Sequence, residues 1–114
     1  MSDIFTFPPI QYVAPVDLEA DPELAAALLA LNNAHAAELS WLEADRLGDL
    51  VGMAFLATRI GFADAFLLTF DETAAYDSPN FLWLRDRFDR FVYVDRVVVA
   101  EAARGRGLAR ALYA

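Results

Sequence analysis

The chain has no cysteine, no lysine, a single histidine and no long apolar run. Each absence closes a class of function. Without cysteine there is neither a disulfide framework nor a thiolate metal site. One histidine, His35, makes a multi-histidine metal site impossible. Without lysine a Walker A loop, which requires Gly-Lys-Ser/Thr, cannot be written anywhere in the sequence. The apolar segments fall short of the roughly 18 residues that a membrane span needs. Met1-Ser2-Asp3-Ile4-Phe5 lacks a basic stretch followed by an apolar core, so no signal peptide is expected there and a cytoplasmic location is.

What remains is a single domain with ample core. The 114 residues are 58% hydrophobic, enough to bury a sizeable interior. The net charge of −8 is divided unevenly. All nine basic residues are arginines, and seven of them fall between Arg85 and Arg110. Against Asp86, Asp89, Asp95 and Glu101 they leave residues 85–114 at +3, whereas residues 1–84 stand at −11. An acidic body with one cationic corner argues against broad nucleic-acid binding, which needs a basic face. It suits a small anionic ligand at the corner and a cationic one near the acidic body.

Taken in order, Ile10-Gln11-Tyr12-Val13 alternates and stops at Pro15, the pattern of a short strand. Asp21-Pro22-Glu23 opens a helix with a capping carboxylate, a proline at the first helical position and an acid in the first turn. Leu24, Leu28 and Leu31 mark its buried face, and Asn32-Asn33 is read as its end. His35 falls in the connection as a polar loop or cap residue. Ser40-Trp41-Leu42-Glu43 has capping-box spacing for a second helix, with Leu47, Leu50, Val51 and Ala54 on one face. A strand from Phe55 to Ile60, a turn at Gly61-Phe62-Ala63-Asp64 and a nearly continuous apolar strand from Ala65 to Phe70 form a hairpin. Thr73–Arg90 is longer than a hairpin connection requires. Asp77-Ser78-Pro79-Asn80 starts a short helix there, with Phe81, Trp83, Leu84 and Phe88 as its apolar residues. Its alternating arginines and acids form a solvated face, and the segment is also a candidate wall of an acceptor pocket, through Trp83. This order predicts an α/β fold, or α+β with a mixed sheet.

The chemistry concentrates at the C-terminal end. Phe91–Val99 is a strand of valines and aromatics, followed by Ala100-Glu101-Ala102-Ala103 and then Arg104-Gly105-Arg106-Gly107-Leu108-Ala109 opening a helix. A strand, a glycine turn and a helix start together aim backbone N–H groups at a phosphate. A dinucleotide fingerprint would need glycine where Arg110 stands. The pattern that fits is Arg-x-x-Gly-x-Ala from Arg104 to Ala109, behind Val97-Val98-Val99.

In these residues the chain resembles the GNAT superfamily of acyl-CoA-dependent N-acyltransferases, whose central motif is Arg/Gln-x-x-Gly-x-Gly/Ala after the fourth strand. The stretch from Asp77 to Tyr113 is similar to a group of uncharacterised bacterial GNAT proteins with an aromatic insertion before that strand. The resemblance implies acetyl-CoA as the acyl donor. Its pyrophosphate would lie on Arg104, Gly105, Arg106, Gly107, Leu108 and Ala109, and its pantetheine arm on backbone groups of Val97, Val98 and Val99. It further implies direct attack by an amine of a small molecule or peptide, with neither membrane nor nucleic acid as partner. An ammonium group must lose a proton before it can attack, to a carboxylate or a water chain. Strand alternation would place Phe91, Tyr93, Asp95, Val97 and Val99 on one face and Val92, Val94, Arg96 and Val98 on the other. On that pattern Asp95 is the candidate base, with a salt bridge to an arginine as its alternative, and Tyr93 a candidate pocket residue. Family members continue past the cofactor helix with a fifth strand and further elements, including the tyrosine that many use as the acid. The match therefore covers the N-terminal two-thirds of one GNAT-like domain, residues 1–114, incomplete at its C-terminus. Two readings stay open: an N-acetyltransferase, or a silent fragment or interaction module completed by another chain, homo-oligomerisation included.

Overall fold

Pairing of the four described strands is governed by where the chain can bury two faces at once. The computed structural model describes residues 13–113; residues 10–12 of the first expected strand lie outside them. Strand β1 (Val13–Pro15) pairs with β2 (Leu56–Ile60), β2 with β3 (Ala65–Asp71), and β3 with β4 (Val92–Val99), every pairing antiparallel. The sheet order is β1-β2-β3-β4, with helices on both faces, the mixed α/β architecture expected. β3 is central and buried from Ala65 to Phe70, which explains its unbroken apolar run.

One face carries the larger core. Helix α1 (Pro22–Ala34) brings Leu24, Leu28 and Leu31 against Phe66, Leu68 and Phe70 of β3. Asp21 caps it, its carboxylate accepting from the Leu24 N–H at 3.0 Å. Helix α3 (Ala44–Met53) adds Leu47 and Leu50, and α4 (Pro79–Arg87) adds Phe81, whose ring lies edge-on to those of Phe70, Phe91 and Tyr93. Trp83 and Phe88, expected among the apolar residues of α4, are more than half exposed. On the opposite face α5 (Leu108–Tyr113) seats Leu108 and Leu112 against Ile60, Ala65 and Leu67. Six residues cannot sustain a helix alone; burial of two leucines on the sheet holds this one.

Two local expectations change. The connection after α1 contains a one-turn helix, α2 (Ala36–Leu39), and Ser40 ends it with φ of 73° instead of capping α3. The reason is that the backbone there is already bonded. Asn32 Nδ2 donates to the Ser40 carbonyl, while Asn33 accepts from the Leu42 N–H and donates to the Leu42 carbonyl. α3 begins at Ala44 behind Glu43, which makes no side-chain cap bond. Asn32-Asn33 therefore lies in the last turn of α1 and fastens the next connection to it.

The second change is a bulge in β4. Arg96 stands opposite Leu68 and Val94 opposite Thr69, so Asp95 is the extra residue. Before the bulge Phe91 and Tyr93 face the larger core; after it Val98 does, and Val97 and Val99 turn to the α5 side. Simple alternation along β4 fails at Asp95.

Candidate functional site

The Arg104–Ala109 corner is shaped by two glycines. A 3₁₀ turn (Glu101–Ala103) follows β4, and the chain then passes through Gly105 with φ of 84° and Gly107 with φ of 72° before entering α5. Residues with a Cβ pay about 1–2 kcal/mol to adopt that left-handed region. A Cβ at either glycine would point into open space, with no heavy atom within 4 Å, so the turn geometry demands glycine and leaves the cradle clear for a ligand. The Gly107 carbonyl accepts from the Ala111 N–H at 3.1 Å, so the N–H groups just after it belong to a first helical turn and lack intrahelical acceptors.

A cavity of about 530 Å³ lies over this corner, walled by Val99, Arg104, Gly105, Gly107, Ala109 and Arg110. It shares Val99 and Arg104 with a groove of about 280 Å³ that runs along Val97–Val99, closed on its far side by His35, Glu38 and Leu39. Among the described residues β4 has a strand partner on one edge only, so backbone N–H and C=O groups of its other edge are open. Glu38 and Leu39 in turn line a third cavity of about 420 Å³, with Tyr76, Tyr93, Asp95 and Arg96. The three spaces form a series from the glycine corner, along β4, to the far side of the bulge.

His35 bridges two of the walls. Its Nε2 lies 3.0 Å from Arg104 Nη2 and its Nδ1 lies 3.1 Å from the Leu31 carbonyl. A guanidinium only donates, so Nε2 accepts and Nδ1 carries the hydrogen given to Leu31. The contact sets Arg104 across the mouth of the groove. Arg106 instead leans toward Asp64, 3.6 Å away, and lines neither space. Leu108 is mainly core, 2% exposed.

The bulge holds a buried polar chain. Asp95 accepts from Tyr76 Oη at 2.5 Å and from Arg96 Nε at 2.6 Å, and Arg96 Nη1 donates to Asn32 Oδ1 at 2.8 Å. The Asp95 and Arg96 side chains are 5% and 7% exposed. This corrects the placement of Asp95 on one face with Val97 and Val99, and the salt bridge to an arginine, the alternative reading of this residue, is what the structure shows. The extra residue turns its carboxylate to the Tyr93 side, and two donors occupy it. Burial, with the hydrogen bond and charge of Asp95, pushes the Tyr76 phenol up to about 12, while the charge of Arg96 opposes the rise. Tyr93 does reach the third cavity. Trp83 does not: it lies on the exposed side of α4 with the Arg87 guanidinium stacked 4.0 Å from its ring centre.

Glu38, Tyr76, Asn32 and Arg96 were not legible as site residues from their spacing. One signal was present. Asn32 continues the Leu24, Leu28 stripe at i+4, a polar residue on a buried face that has to find a partner.

Comparison with known families decides what the corner belongs to. The model of the acetyltransferase (GNAT) family matches residues 3–114. The chain belongs to the GNAT acetyltransferase family. No curated protein and no solved structure gives a significant match. For a GNAT chain the groove has the expected ingredients: a glycine cradle, arginines beside it and an open strand edge leading inward. An acyl-CoA, with an anionic pyrophosphate and an amide-bearing arm, fits these residues by charge and by hydrogen-bonding type. No helix among the described residues is long and apolar enough to cross a membrane.

Proposed function

We propose that this chain is an N-acetyltransferase that moves the acetyl group of acetyl-CoA to an amine by direct attack. The observation that carries the reading is the series of three neighbouring spaces, each sharing wall residues with the next, from the glycine corner past the β4 edge to the polar cavity beyond the bulge. Arg104 with the backbone of Gly105, Gly107, Leu108 and Ala109 would hold the pyrophosphate, Arg106 adding positive charge from its flank. The open backbone of Val97, Val98 and Val99 would pair with the amides of the pantetheine arm. When bound, acetyl-CoA supplies a thioester whose carbonyl carbon is electrophilic.

The chain's own residues do the rest by positioning. Tyr93 walls the acceptor side. Asp95 acts through Tyr76 and Arg96, which it fixes in place, and is a positioning residue. The acceptor's proton leaves through the polar cavity to a carboxylate or a water chain. The reading places the enzyme in the cytoplasm. Thiol release from acetyl-CoA, measured against a panel of primary amines, tests it. Release above the hydrolysis rate supports transfer, and none across the panel by folded protein sinks it.

A second reading, a module that pairs with another chain, is favoured by one feature. On the α5 side of the sheet Leu56 and Val94 flank Thr69, are 43% and 40% exposed, and leave an apolar row uncovered. Sedimentation of the purified chain separates the two: a monomer that turns over acetyl-CoA leaves that row without a required partner.

A further inference from the structure

The charged groups around the two inner spaces can be accounted for one by one. In the β4 groove Arg104 donates to His35. In the cavity beyond the bulge Arg96 is committed to Asp95 and Asn32, and Arg46 pairs with Asp77 at 3.5 Å on the exposed rim. One charged group is left over. Glu38, an exposed residue, lines both spaces at their rim, and its carboxylate makes no hydrogen bond or ion pair among the described residues.

We propose that Glu38 is the anchor for the acceptor: it receives a primary alkylammonium and takes its proton. This rests on the acetyl-transfer reading and names the chemistry of its acceptor side. An unpaired carboxylate where two cavities meet attracts a cation to the point at which donor and acceptor must meet. Asp95 is poorly placed for this part, because its side chain is 5% exposed and each of its oxygens already accepts a hydrogen bond, from Tyr76 and from Arg96. In an otherwise polar cavity, the half-buried Leu39 beside Glu38 and the half-buried Tyr93 offer the contact for a short alkyl chain. In the step itself an N–H bond of the ammonium breaks, the proton bonds to a Glu38 oxygen, and the electron pair stays on nitrogen, which becomes the nucleophile.

The segment that carries Glu38 is held at both ends. The Leu39 N–H bonds back to the His35 carbonyl, the Ser40 carbonyl accepts from Asn32, and Leu42 is bonded twice by Asn33. The fastened turn fixes the Glu38 backbone beside both spaces, and the side chain reaches its ligand from there.

Heteronuclear NMR of the labelled full chain tests the assignment with n-butylammonium and n-butanol as probes and acetyl-CoA as a separate titration. Butylammonium at millimolar concentration is expected to shift the amides of Glu38 and Leu39, butanol is not, and Glu38→Gln is expected to abolish the response while leaving acetyl-CoA shifts at Gly105 and Gly107 intact. Butylammonium shifts that persist in Glu38→Gln, or that never appear in wild type, overturn the proposal. Missing acetyl-CoA shifts condemn the transfer reading instead, so the two failures are distinguishable. Butylamine turnover adds the chemical arm: Glu38→Gln should lower the rate about 10²-fold. An unchanged rate in that variant, or no butylamine acetylation by wild type, also refutes the assignment.

Discussion

Replacing Arg96 with methionine removes the one cation that, among the described residues, pairs with the 5% exposed carboxylate of Asp95. Asp95 keeps the Tyr76 hydroxyl and loses its 2.6 Å bond to Arg96 Nε, and Asn32 Oδ1 loses a charged donor at 2.8 Å. Breaking a buried pair from one side leaves an uncompensated charge and costs about 3–5 kcal/mol. The lost bond to Asn32, in the range of about 1.5–3 kcal/mol for charged donors, overlaps with that penalty and is not added in full. A domain of this size has roughly 5–15 kcal/mol in total, so Arg96→Met removes about a fifth of it or more. Urea unfolding followed by far-ultraviolet circular dichroism should show a large drop in midpoint at constant slope. Adding Asp95→Leu to the same protein removes the stranded charge and should restore much of the loss, giving a strong coupling energy in the double-mutant cycle. A loss below about 1 kcal/mol for Arg96→Met, the range of an exposed pair, would refute the description of the bulge as a buried charge network.

Tyr76 sets an alkaline limit. Its phenol is raised from 10.0 to about 12 in the folded chain, so above pH 10 the unfolded state binds fewer protons than the native one, and stability falls as pH rises toward 12. Tyr76→Phe should flatten the stability profile in that window and should remove a late phenolate absorbance step present in the wild type. Gly107→Ala forces a Cβ residue to φ of 72° and should cost about 1–2 kcal/mol in unfolding free energy, together with weaker acetyl-CoA binding. Trp83→Ala removes only an exposed stack with Arg87, worth about 0.5–1 kcal/mol, and should leave acetyl transfer unchanged; a loss of activity would return Trp83 to the acceptor site.

Much of the architecture was legible because it follows from periodicity. The Leu24, Leu28, Leu31 stripe, the Asp21-Pro22 helix start and the continuous apolar run of Ala65–Phe70 each express a burial pattern that the structure reproduces. The glycine corner was legible for a different reason: few residues other than glycine tolerate such backbone angles, so its spacing is chemically constrained. What escaped depends on contacts distant in sequence. The bulge in β4 is set by pairing with β3, and no property of Val92–Val99 alone announces that Asp95 is the residue left over. The same holds for Ser40, whose capping role is lost because Asn32, eight residues earlier, claims its carbonyl. Glu38 was silent because its significance lies in where two cavities meet, which only the folded chain defines.

Isothermal titration of the folded chain with acetyl-CoA, beside its Arg104→Glu variant, addresses the donor groove most directly. Arg104 stands where the corner meets the β4 edge, and losing one charged hydrogen bond of about 1.5–3 kcal/mol corresponds to roughly 10- to 100-fold in affinity. The expected result is one binding site in wild type and at least about tenfold weaker binding in the variant. Equal affinities, or no heat from well-folded wild type, would contradict the assignment of the Arg104–Ala109 corner to an acyl-CoA.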